Sequence, residues 1–156
     1  MRVVAYSIKS TEKEPLAIAN RKKHEITLIS NSLCAETVFY AEGKDAVVVF
    51  TDDDVSANVI HKLADLGIKY IATRSIDSSH IDHKEASSHN IKIASVPPWA
   101  LSGIPENELP MALASQTINN LDKWEGRKCL GEACICSRSC DQHHKEVNIK
   151  SDRDDK

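Results

Sequence analysis

Residues 46–75 read AVVVFTDDDVSANVIHKLADLGIKYIATRS. Ala46–Phe50 is apolar without a break, the pattern of a central strand covered on both faces. Asp53 or Asp54 stands where a helix N-cap belongs, and Gly67 where a C-cap belongs. Between them, over 55–66, Val55, Val59, Ile60, Leu63 and Ala64 recur at helical spacing. Tyr70-Ile71-Ala72 then starts a second β-like run. Strand, helix and strand in this order imply a right-handed crossover between parallel strands.

The same alternation extends outward. Val3–Tyr6, Ile26–Ile29 and Ile91–Ala94 are further short β-branched runs, and 11–23, 35–42 and 82–89 are candidate helices between them. The expected fold class is α/β: a flavodoxin-like, mainly parallel five-stranded sheet with helices on both faces. After Val96 the pattern changes to a Pro-rich turn, VPPW (96–99). Pro110 suits a first helical position. Met111, Ala114, Ile118 and Leu121 then form one stripe along a helix at 110–121. That stripe has two readings, packing on the sheet or the seam of a homodimer. From Asp122 onward the chain turns polar. This divides it into a domain at 1–121 and a Cys-rich tail at 122–156, with little apolar content and expected partial disorder.

Composition narrows the function classes. The 156 residues suit one domain, and a 41% hydrophobic share with only 4% aromatics implies an aliphatic core. A net charge of −3 argues against nucleic-acid binding, which needs clustered Lys/Arg excess. The basic run Arg21-Lys22-Lys23 fits a helix C-terminus instead. The chain opens on a β-like run with no secretory signal and holds no transmembrane span, so a cytoplasmic protein without a membrane partner is expected.

In that compartment thiols stay reduced, and clustered cysteines point to metal or redox chemistry. Four of the five cysteines, Cys129, Cys134, Cys136 and Cys140, precede His143 and His144. Thiolate and imidazole ligands suit zinc or an iron–sulfur cluster. The spacing matches neither common ferredoxin pattern nor paired C-x2-C knuckles. Unliganded reduced thiols are the plain alternative. Lys128 and Arg138 could lower a thiol pKa and give a redox-responsive interaction role. Cys34 stands alone and reads as a small core or loop residue. His24, His61 and His89 fall near helix ends or faces and read as solvated.

The runs VVAYSIK, KKHEITLIS, YAEGKDAVVVFTDDDVSA and KLADLGIKYIATRS resemble the catalytic domain of the D-isomer-specific 2-hydroxyacid dehydrogenases, bacterial D-lactate dehydrogenases among them. The resemblance covers about 1–96 and continues more weakly through VPPWALSGIPENELPMAL. It implies a flavodoxin-like domain facing a separate Rossmann domain that carries NAD, with a small 2-hydroxy or 2-oxo acid held between them. The family's RSxG turn binds the substrate carboxylate through backbone N–H groups. Here it corresponds to Arg74-Ser75-Ile76-Asp77, with Asp77 in place of glycine. A Cβ and a negative charge there weaken an anion site. The substrate-binding positions implied are therefore Ser75, Ile76 and Asp77, with Trp99 where the family has a cleft-lining Tyr.

The family's catalytic Arg, Glu and His and its Gly-rich dinucleotide turn have no counterpart among these residues. The glycines are Gly43, Gly67, Gly103, Gly126 and Gly131, and none forms G-x-G-x-x-G. No catalytic residue is assigned, and no cofactor-binding residue. The expectation is an oxidoreductase-like chain without autonomous dehydrogenase activity. It is either a diverged ligand-binding domain or a half-enzyme completed by a nucleotide-binding partner subunit, with the Cys-rich tail as the alternative working part.

Overall fold

A computed structural model describes residues 1–135; Cys136, Cys140, His143 and His144 lie outside the described residues. The strands are β1 (Arg2–Ala5), β2 (Glu25–Leu28), β3 (Ala46–Val49), β4 (Tyr70–Thr73) and β5 (Lys92–Ala94). The helices are α1 (Ser10–Asn20), α2 (Ala57–Asp65), α3 (His83–Ser88) and α4 (Leu109–Glu125). All pairings between these strands are parallel, in the order β2-β1-β3-β4-β5. This is the expected flavodoxin-like arrangement. Among the described residues no helix is long and apolar enough to cross a membrane.

The sheet sorts its side chains by parity. Val4, Val47, Val49, Ile71 and Ile93 point into one core, against Val59, Ile60 and Leu63 of α2 and Ala86 of α3. Ala5, Ala46, Ala72 and Ala94 line the other face, together with Val3 and Val48, beneath α1 and α4. Small residues on the second face leave room for the four-turn helix α4 to lie close.

Ala114, Ile118 and Leu121 of α4 are buried in this second core. Three of the stripe's four side chains are therefore used within the chain, on its own sheet, while Met111 at the start of α4 is half-buried; Ala114, Ile118 and Leu121 are not available to a homodimer seam at 110–121. α4 also runs past the 121/122 boundary to Glu125, and Trp124 stacks on Tyr70 with ring centroids 4.8 Å apart. Residues 130–135 then fold along the outer edge of β5. Ser95 N–H donates to the Ala133 carbonyl (2.9 Å) and Ile135 N–H to the Ile93 carbonyl (3.1 Å), an antiparallel bridge centred on Ala94 and Cys134. An exposed parallel edge is covered in this way.

Three local expectations are corrected. Residues 35–42 form only a 3-10 turn, Val38–Ala41. Asp53 does not cap α2, whose N-cap is Ser56. His24 is not solvated: it is 4% exposed, with Nε2 2.7 Å from Asp122 Oδ1 and Nδ1 3.2 Å from Glu125 Oε2. This cluster fastens the α1–β2 turn to the end of α4. Burial works to raise the Asp122 carboxyl, but hydrogen bonds from Lys23 and His24 outweigh it and hold it below its ordinary value.

Candidate functional site

In an open parallel sheet, ligands are met at the carboxyl ends of the strands. That edge here is made by Tyr6–Lys9 after β1, Phe50–Ser56 after β3, Arg74–Asp82 after β4 and Ser95–Trp99 after β5.

Asp53 organises it. Its carboxylate is 3% exposed and accepts from Ser7 Oγ (2.6 Å), Leu33 N–H (2.7 Å) and Phe50 N–H (2.7 Å). One buried side chain thus joins the ends of β1 and β3 to the loop after β2. Ser7 sits at φ 56°, a left-handed conformation that a non-glycine residue adopts at some cost and that the Asp53 contact holds in place. Tyr6 beside it donates its hydroxyl to the Thr37 carbonyl at 2.9 Å. Burial, with the nearby Asp53 charge, pushes its phenol well above its usual range.

Arg74, at the end of β4, is 2% exposed. Its guanidinium donates to the carbonyls of Tyr6 (3.0 Å) and Ser7 (3.2 Å), pairs with Glu12 at 3.3 Å, and lies over the Phe50 ring at 5.2 Å. Burial lowers its pKa, with the Glu12 and Asp53 charges opposing. Glu12 Oε2 also accepts the Lys9 N–H at the start of α1, at 2.8 Å. A cleft of about 240 Å³ opens beside Arg74, lined by Lys9, Glu12, Leu16, Glu106 and Leu113 among others. The two terminal nitrogens of Arg74 are spent on carbonyls and on Glu12, which makes it a structural clamp of this edge, while its buried Nε–H has no protein acceptor among the described residues.

The loop after Arg74 is different. Ser75 is buried: its hydroxyl donates to the Asp77 carbonyl at 2.7 Å and lies 2.6 Å from Thr73 Oγ1. Its own carbonyl accepts from Val96 N–H, which ties the loop to the end of β5. Ile76 is exposed, and Asp77 Oδ1 accepts the Ser79 N–H at 2.9 Å. Hydrogen bonding by Ser79 lowers the Asp77 pKa, so the carboxylate stays charged at neutral pH. Among the described residues, the N–H groups of Ile76, Asp77 and Ser78 bond to no protein acceptor. Successive free N–H groups at a strand end are a recurrent anion-binding device. Trp99, in the 3-10 turn Pro98–Leu101, is 62% exposed at the neighbouring strand end. The imidazole of His80 lies in the same loop with both ring nitrogens buried and unpaired. Burial lowers its pKa against the pull of the Asp77 and Asp53 charges.

The catalytic-domain description of the D-isomer specific 2-hydroxyacid dehydrogenases matches residues 3–101. The chain belongs to this family. An aromatic 2-oxoacid reductase of Clostridium sporogenes is 28% identical over 131 residues, spanning 77% of this chain and 40% of the relative. A 2-hydroxyacid dehydrogenase homolog of Schizosaccharomyces pombe is 34% identical over 122 residues, spanning 78% of this chain and 34% of the relative. Among solved structures, apo D-lactate dehydrogenase from Escherichia coli superimposes with a TM-score of 0.62 at 26% identity, covering 86% of this chain and 44% of that one. The D-lactate dehydrogenase of Lactobacillus jensenii with NAD+ gives a TM-score of 0.53 at 31% identity, covering 64% of this chain and 31% of that one. This dehydrogenase-family chain thus spans well under half the length of the relatives it matches.

NAD does not fit the described residues. The turns that follow β1, β3 and β4 contain no glycine: Ser7-Ile8-Lys9 after β1 carries the buried Ile8 side chain, and the turn after β3 carries Asp52, Asp53 and Asp54. A pyrophosphate needs close, glycine-permitted backbone approach and no facing carboxylates.

Sequence reading located Ser75, Ile76, Asp77 and Trp99, and the structure sets the first three in one loop beside the turn that holds Trp99. It missed Asp53, Arg74 and Ser7 as the frame of that edge. Their only sequence signal is a polar or charged residue shortly after an apolar strand, which reads equally as surface. Of the proposed metal ligands, Cys129 is exposed and Cys134 half-buried; both line a shallow pocket with Tyr70, Lys92 and Trp124.

Proposed function

We propose that this chain is the carboxylate-binding half of a 2-hydroxyacid dehydrogenase-type site. It receives a small 2-oxo or 2-hydroxy acid at the loop 76–78 and depends on a nucleotide-binding partner subunit for hydride transfer. The observation that carries this reading is the set of free N–H groups at Ile76, Asp77 and Ser78, at the carboxyl end of β4. A carboxylate accepts from such donors, and the Asp77 charge opposes it. Exposed Ile76 and Trp99 stand on the rim, the kind of apolar surface a second half-site covers.

Oxamate and D-lactate serve as probes. Titrated into the 15N-labelled chain, either ligand should shift the amides of Ile76, Asp77 and Ser78 before others, and D77G should tighten binding. Unmoved loop amides at millimolar oxamate, in both the natural chain and D77G, would refute the reading. The 156 residues mixed with NAD and D-lactate should form no NADH, because the described residues offer the hydride acceptor no glycine-permitted phosphate turn after β1, β3 or β4.

A second reading, a thiol metal site in the tail, rests on Cys129 and Cys134 lining one pocket beside Arg127 and Lys128. Metal content after anaerobic purification, compared with C129S and C134S, decides it; equal content in all three removes it.

A further inference from the structure

On the face of the sheet covered by α2 and α3, two side-chain pairs meet. His61 and Asp65 stand one turn apart on α2, with Nε2 and Oδ2 3.7 Å apart. Glu85 of α3 and His89 just past its end stand one turn apart, with Oε1 and Nε2 3.0 Å apart. The two imidazoles face each other edge to plane, their centroids 5.3 Å apart. Ligand atoms of His61, Glu85 and His89 all lie within 4.8 Å of one another.

We propose that His61, Glu85 and His89 form a binding site for a divalent transition-metal ion, zinc foremost. Ligands of tetrahedral zinc at about 2.0–2.1 Å stand roughly 3.3 Å apart. Glu85 and His89, 3.0 Å apart, are close to that separation, and the His61 ligand atom lies within 4.8 Å of both on a side chain that is 59% exposed and has room to turn. Two imidazole nitrogens and one carboxylate select zinc, nickel or copper(II) over calcium and magnesium, which prefer oxygen. A fourth position stays open to water. Asp65, 3.7 Å from His61 Nε2, stands one turn away as the nearby carboxylate that could accept the ring N–H not used for the metal.

The consequence is mechanical. α3 begins at His83, directly after the loop 76–82, and its N-cap Asp82 accepts the Glu85 N–H at 3.0 Å. An ion shared by α2 and α3 fixes the helix that carries the end of that loop. The inference does not rest on the proposed ligand or on the tail cysteines.

The test is a zinc titration of the full chain with its thiols alkylated, so that the tail cannot compete. One equivalent should bind, and the thermal midpoint should rise with it. H61A, H89A and E85Q should each weaken binding by about tenfold or more. His61 is exposed, so H61A keeps the fold and isolates the ligand effect. The ring resonances of His61 and His89 should move at one equivalent of zinc while those of His24 stay in place. Absence of stoichiometric binding by the alkylated chain, or undiminished binding by H61A and H89A, would overturn the site. Zinc binding only by the unalkylated chain would do the same, because it assigns the metal to the cysteines.

Discussion

Leu121→Ala measures whether α4 is a structural layer of this chain. Leu121 is fully buried in the second core, where the strands offer Ala5, Ala46, Ala72 and Ala94. Alanines have no side-chain length with which to fill a void, so the site collapses poorly. Truncations of this type cost about 3–5 kcal/mol, rising with the cavity left behind, and about 3–4 kcal/mol is expected here. For a chain of this size each kcal/mol lowers the midpoint by roughly 2–4 °C, giving a fall of about 10 °C. Urea unfolding followed by circular dichroism should show the lower midpoint with an unchanged slope. The midpoint should also be independent of protein concentration, because the buried stripe is intramolecular. Asn119, exposed on the same helix, supplies the control: N119A should stay within about 0.5 kcal/mol. A loss below about 1 kcal/mol for L121A, or a midpoint that moves with concentration, would refute the packing and restore the seam.

D53N keeps the size of a buried side chain but replaces one acceptor oxygen by a donor facing N–H groups 2.7 Å away. It should cost about 2–4 kcal/mol in urea unfolding. A change under about 1 kcal/mol would mean that Asp53 does not hold the strand ends together. Acid should expose the α4 clamp. The Asp122 carboxyl is depressed in the folded chain, so its contribution is full above its unfolded pKa and is lost as pH falls through the lower folded value. Stability should therefore fall below about pH 4, more shallowly in D122N; identical acid limbs would show that the Lys23–His24–Asp122 contacts carry no linkage.

The strand–helix–strand order was legible because each element announces itself over a few neighbouring residues. The unbroken run Ala46–Phe50 can only be covered on both faces, and the spacing of Val59, Ile60 and Leu63 makes a helix that must bury one side. The loop Ser75–Asp77 carries no such periodic signal and was singled out only through the resemblance of Arg74-Ser75-Ile76-Asp77 to the family's turn. What a charged residue does depends on residues far away in the chain, and this only tertiary structure decided. Asp53 meets Ser7 and Leu33; Arg74 meets Tyr6 and Glu12; His24 meets Asp122, 98 positions on. Composition alone assigns all three to solvent, because isolated charges are cheapest there. Once chain closure supplies buried partners, desolvation is offset by charge-assisted hydrogen bonds: Asp53 and Arg74 become the frame of the carboxyl-end edge of the sheet, and His24 ties the α1–β2 turn to α4. The stripe on α4 is the apolar counterpart. Its periodicity required a cover, and the alanine-lined face of the sheet decided that the cover is the chain itself.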